Sequence, residues 1–154
     1  MAFMKSTRAV VKQGVWNNRF MAGVVRATNY IPNLDDPERL IADCASALHD
    51  GANLVIFPEG SRTPGGEQGK YQRGFAYIAL QAGAPILTVT IEVAPPTLRK
   101  GEPWYAIPER RPHWIIRVRE RVDTPRIYGT EPSISNARRL TMDIKSMMDG
   151  NLRK

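Results

Sequence analysis

Residues 57 to 63 read Phe57-Pro58-Glu59-Gly60-Ser61-Arg62-Thr63. This short run combines a carboxylate, a guanidinium, two hydroxyls and a glycine. Gly60 would let the backbone come close to a ligand. Arg62 could grip a phosphate through two parallel hydrogen bonds. Ser61 and Thr63 add hydroxyl donors. Glu59 could accept a hydrogen bond from a substrate hydroxyl, or it could hold Arg62 in a local ion pair. Lys70 and Arg73 lie just downstream and could add positive charge. The residue types alone fit both an anion-binding loop and a self-contained Glu59–Arg62 pair.

Other chemistries fail on spacing. No Gly-x-Ser-x-Gly elbow occurs, so a hydrolase nucleophile of that kind is absent. Gly69-Lys70 resembles the end of a phosphate loop, but Pro64 stands where the first glycine belongs and Tyr71 where Ser or Thr belongs. One cysteine, Cys44, and two histidines, His49 and His113, cannot build a Cys/His zinc site. Cys44 and His49 are five apart on a predicted helix, a rotation of about 140°, so they face apart. Cys44 falls on an apolar stripe and reads as packing. His49 reads as a helix-end residue and His113 as a loop residue.

Strand and helix signals alternate along the chain. Residues 9–11 read as a short strand, 15–27 as an amphipathic helix, and 29–31 as an extended piece before Pro32. A helix capped by Asp35 or Asp36, with Pro37 in its first turn, carries Leu40, Ile41, Cys44, Ala45 and Leu48 on one face and ends at Gly51. Residues 53–57 read as a buried strand that delivers the Glu59–Arg62 loop. A polar loop over 63–70 and a helix over 73–82 follow, then a strand over 86–91. Five prolines make 93–113 a long loop. In 114–120, Trp114, Ile116 and Val118 alternate with Ile115, Arg117 and Arg119, a strand with one wet face. Ser133 can cap a last helix that ends at Gly150, with Ile134, Ala137, Leu140, Ile144, Met147 and Met148 inward. The order implies an α/β fold: a mostly parallel sheet flanked by helices. Ligands in such folds bind beyond the carboxyl ends of the strands, where residues 58–62 would sit.

The 154 residues fit a single domain, and an apolar fraction of 42% with 24% charged residues is that of a globular chain. Lys and Arg number 22 against 15 Asp and Glu, a net charge of +7. That balance favours anionic partners: nucleic acid, phosphorylated substrates or an anionic membrane surface. The lone cysteine suits a reducing compartment. No signal peptide is visible at the start, and residues 75–93 are too interrupted to span a bilayer. Arg110, Arg111, Arg117, Arg119 and Arg121 with Trp114 offer a basic and aromatic strand. No recognition motif accompanies them, so a solvated strand face is preferred to a nucleic-acid surface.

The 57–63 block resembles the Phe-Pro-Glu-Gly-Thr-Arg block of the glycerol-phosphate and lysophosphatidate acyltransferase family, with Ser61 for the threonine. Lys70-Tyr71-Gln72-Arg73-Gly74 is similar to the basic segment that follows it. Ala84-Pro85-Ile86-Leu87-Thr88-Val89-Thr90-Ile91 resembles the later Pro-rich strand, with Thr88 where a second proline is common. Residues 11–16 and 27–33 resemble the approach to the family's second block, though its arginine has no clear counterpart. The likeness covers about residues 9–122. It implies acyl transfer from a thioester, on coenzyme A or acyl carrier protein, to a hydroxyl of lysophosphatidate or a similar glycerophospholipid precursor. No bound cofactor is implied. Glu59, Gly60, Ser61, Arg62, Lys70 and Arg73 would hold the acceptor, with Arg62 on its phosphate and Glu59 near its glycerol. Contact with the cytoplasmic side of the membrane would be peripheral, and no nucleic-acid partner is expected.

The family's general base is the histidine of an Asn-His-x-x-x-x-Asp block. Neither His49 nor His113 has an aspartate at that spacing. Loss of a general base typically costs about 10² to 10⁴ in rate. Amino-terminal truncation of a working enzyme is the preferred expectation, which makes 1–154 an incomplete domain closed by a helix over 133–150. A short relative that binds lipid phosphate without turnover would also fit this sequence, as would an enzyme that takes its base from a partner chain.

Overall fold

The computed structural model describes residues 6–19, 22–33, 36–60, 69–97, 101–103, 106 and 108–152. Three strands, β1 (Thr7–Lys12), β2 (Ile31–Asn33) and β3 (Asn53–Val55), form a parallel sheet in the order β2-β1-β3. Val10 pairs with Ile31 on one side of β1, and Arg8 with Leu54 on the other. Pro32, which lacks a backbone donor, is tolerated because β2 has a partner on one side only. The expected parallel sheet with flanking helices is therefore present.

The connections follow local chemistry. The helix expected over 15–27 is instead two short ones, α1 (Gln13–Trp16) and α2 (Ala22–Ala27). Asn17 and Asn18 stand between them, residue types that favour turns over helix interiors. Helix α3 (Pro37–His49) crosses from β2 to β3. The Asp36 side chain accepts from the Arg39 N–H at 3.0 Å, and Pro37 opens its first turn, as expected. Its stripe packs Cys44 and Ala47 on Ile31 and Ile78, with Leu40, Ile41 and Leu48 alongside.

Helix α4 (Gly74–Ala82) ends at Gly83, whose φ of +59° is a left-handed cap. It buries Phe75, Ala76, Ala79 and Leu80 against Ala137, Leu140 and Ile144 of α6 (Ile134–Leu152). The Ser133 hydroxyl caps α6 by accepting from the Asn136 N–H at 3.2 Å. This last helix runs two residues past the expected stop at Gly150, and Ile134 points outward rather than inward. A short helix, α5 (Thr124–Tyr128), escapes the sequence reading. It starts on the Asp123 side chain, and its Tyr128 hydroxyl donates to Asp143 of α6 at 2.7 Å.

The strands correct further expectations. β3 stops at Val55, and Val55 and Phe57 are exposed, so it is not a strand buried on both faces. Among the described residues its only strand partner is β1. The strands β4 (Ile86–Ala94) and β5 (His113–Val122) form a separate antiparallel ribbon, with His113 in the ladder rather than in a loop. Its inner face carries Ile86, Thr88 and Thr90. Trp114, Ile116 and Val118 point outward, the reverse of the expected wet face.

Leu140 is fully buried at the α4–α6 contact. Leu140→Ala should cost about 2–5 kcal/mol, read as a lowered urea midpoint with an unchanged slope. A loss below about 0.5 kcal/mol, the order of a surface change, would show that α6 does not close the core.

Candidate acceptor-binding site

Parallel strands place their carboxyl ends on one side, and β3 delivers Pro58, Glu59 and Gly60 there. The chain reverses at once: the Gly60 N–H donates to the Phe57 carbonyl at 3.0 Å. Gly60 has φ of +67°, a backbone state that glycine adopts without strain. A Cβ there would meet only the Gln72 Cγ, at 3.6 Å, so conformation rather than space selects glycine.

The segment from Lys70 to Arg73 is tied back to this turn. The Gln72 N–H donates to the Pro58 carbonyl at 2.7 Å. Tyr71 beside it packs against the α4–α6 core. Burial pushes the Tyr71 phenol up from its ordinary value, and the carboxylates of Glu59 and Asp149 add to the effect. The Lys145 ammonium lies 6.0 Å from the Tyr71 ring centre and pairs with Asp149 at 2.8 Å. Lys70 is exposed, and Arg73 is exposed at the N-cap of α4 without a capping hydrogen bond.

Of the six predicted site residues, Glu59, Gly60, Lys70 and Arg73 thus lie on two segments that one hydrogen bond joins. Ser61 and Arg62 lie outside the described residues. Sequence reasoning did not single out Tyr71, Gln72, Lys145 or Asp149. Tyr71 and Gln72 fall within the basic segment that follows the block, whereas the α6 pair lies far downstream of it and gives no local signal.

The remaining reactive groups stay outside the site. Cys44 is fully buried, and burial, helped by the Asp43 carboxylate, pushes its thiol up to about 11. His49 is exposed in the last turn of α3. Among the arginines of β5, Arg117 pairs with Glu92, and the Arg119 Nε–H donates to Thr90 at 3.2 Å. Among the described residues no cluster of His, Cys, Asp and Glu is placed to hold a metal ion, and no helix is long and apolar enough to cross a membrane.

Likeness to known proteins now decides the family. Residues 2–92 match the family model for acyltransferases. The chain belongs to the acyltransferase family. It is 48% identical over 42 residues to a 1-acyl-sn-glycerol-3-phosphate acyltransferase of Pseudomonas aeruginosa, a stretch covering 27% of this chain and 16% of that protein. The crystal structure of the 1-acyl-sn-glycerophosphate acyltransferase PlsC from Thermotoga maritima has the same fold, with a TM-score of 0.62 at 20% identity. That match takes in 96% of this chain but 57% of the PlsC chain, so the chain spans little more than half the length of this relative.

Two outcomes test the site's geometry. Gly60→Ala should lower stability by about 1–2 kcal/mol through its left-handed backbone alone, measured by thermal denaturation; an unchanged midpoint would mean that the turn relaxes. The Cys44 thiol should resist iodoacetamide at about pH 8 in the native protein and react after unfolding. Its raised value adds stability that is complete below the ordinary thiol value of 9.0 and is lost as pH rises through about 11. Rapid native labelling would contradict its burial.

Proposed function

We propose that this protein serves acyl transfer from a thioester, on coenzyme A or acyl carrier protein, to a hydroxyl of lysophosphatidate or a similar glycerophospholipid precursor. This chain carries the acceptor-binding half. The observation behind the reading is the Pro58–Glu59–Gly60 turn at the carboxyl end of β3, held against residues 70–73, in a chain of the acyltransferase family. Arg62 takes the acceptor phosphate, Lys70 and Arg73 add charge around it, Ser61 offers a hydroxyl donor, and Gly60 lets the backbone come close. Glu59 accepts from the glycerol part.

In the transfer, the acceptor hydroxyl oxygen bonds to the thioester carbonyl carbon. The carbon–sulfur bond breaks and the sulfur leaves as thiolate; a base takes the hydroxyl proton and returns it to that thiolate, so the thiol is released. No metal or bound cofactor takes part in this scheme. The acceptor belongs to a membrane, and the protein meets the cytoplasmic face peripherally.

A second reading has its own observation. His49 and His113 lie on α3 and β5, and neither is followed by aspartate at the family's spacing. The same site would then bind anionic lipid headgroups without turnover.

Calorimetry with lysophosphatidate and transfer of labelled acyl groups separate the readings. Wild-type protein should bind the lipid, Arg62→Ala should abolish binding with the fold intact, and Lys70→Ala should weaken it less. Binding with transfer supports the enzyme; binding without transfer supports the headgroup binder. Unchanged affinity of Arg62→Ala would show that the phosphate is held elsewhere.

A further inference from the structure

The β4–β5 ribbon turns its aliphatic side outward. Val89 faces Val118 across the ladder, Ile91 faces Ile116, and Val93 faces Trp114. Pairs share a face, so Leu87, Val89, Ile91, Trp114, Ile116 and Val118 form one continuous surface. Their exposure runs from 38% at Val89 to 65% at Ile116 and Val118. The threonines lie on the other side: Thr88 and Thr90 are buried there.

Charge brackets this patch. Arg121 faces Leu87 at one end, and exposed Arg110 and Arg111 precede the strand at the other. Glu92, an acidic side chain of β4, is turned to the opposite face and paired with Arg117. The whole chain carries +7.

Size argues against a protein partner. The stretch from Leu87 to Val93, at about 3.3 Å per residue and two strands wide, makes a patch of roughly 200 Å². A stable interface takes ~800 Å² from each partner. A lipid surface sets no such threshold, since each inserted side chain and each basic residue near it adds to binding separately.

We propose that the outer face of the β4–β5 ribbon docks on a bilayer containing anionic phospholipid. The aliphatic side chains enter the boundary between headgroups and acyl chains. Trp114 sits at headgroup level, and Arg121, Arg110 and Arg111 contact the phosphates. The choice of partner rests on the lipid-handling function proposed above, but none of these ribbon residues is among those proposed to hold the acceptor.

Flotation of the whole protein with vesicles of phosphatidylcholine, with and without phosphatidylglycerol, tests this. Wild-type protein should float with the anionic vesicles and less so as salt rises. The double variant Ile116→Glu, Val118→Glu should partition about ten-fold more weakly, and Arg121→Gln about five-fold. The ribbon variants should keep wild-type calorimetric affinity for lysophosphatidate, which Arg62→Ala loses, so a failed acceptor site and a failed docking face give different results. Flotation of both ribbon variants at the wild-type level would overturn the proposal. So would light scattering that shows a wild-type dimer and a monomeric double variant, because the face would then join two copies of the chain.

Discussion

The two groups of core residues in this structure meet on α4. Its nine residues are apolar on both flanks. Phe75, Ala76, Ala79 and Leu80 meet α6 and Tyr128, while Ile78 meets Cys44 and Ala47 of α3. The alanines matter because a small side chain lets two helix backbones approach closely, and buried contact falls off steeply with separation. Ile56 packs on both groups of core residues. It sits immediately before Phe57 and the Pro58–Gly60 turn, so the residues that would meet a ligand stand on the joint between the two cores.

Rigidity at that turn comes from several weak ties. A backbone hydrogen bond joins Gln72 to Pro58, and the Tyr71 ring sinks into the core beside it. Asp149 and Lys145 of α6 neutralise each other next to that ring. The carboxyl-terminal helix therefore takes part in shaping the site, although the family match ends at residue 92. A half-buried ion pair of this kind contributes little net stability. Its effect is to set the charge around Tyr71.

The ribbon shows how polar residues can occupy an inner face. The Thr88 hydroxyl donates to the Glu120 carbonyl at 3.1 Å and accepts from the Glu120 N–H at 3.0 Å. These bonds lie where the register shifts between Leu87 and Val89, a bulge that sets Arg119 and Glu120 against one residue. Thr90 accepts from Arg119. With its donor and acceptor both used inside the ribbon, Thr88 carries no unpaired-donor penalty, and the aliphatic side faces outward.

The sequence by itself determined the helices α3, α4 and α6 and the caps that start α3 and α6. Asp36, Pro37 and Ser133 mark helix starts through contacts within four residues, and the apolar period of 37–49 is readable for the same local reason. The Phe57–Thr63 block announces its family because its residues are adjacent in the chain. Only the tertiary structure decided which face of β4–β5 is covered, since strict alternation names two faces without saying which meets α6. It also decided that β3 ends at Val55, and that Lys145 and Asp149 reach Tyr71. Those outcomes depend on contacts between residues far apart in sequence, and no local propensity encodes them.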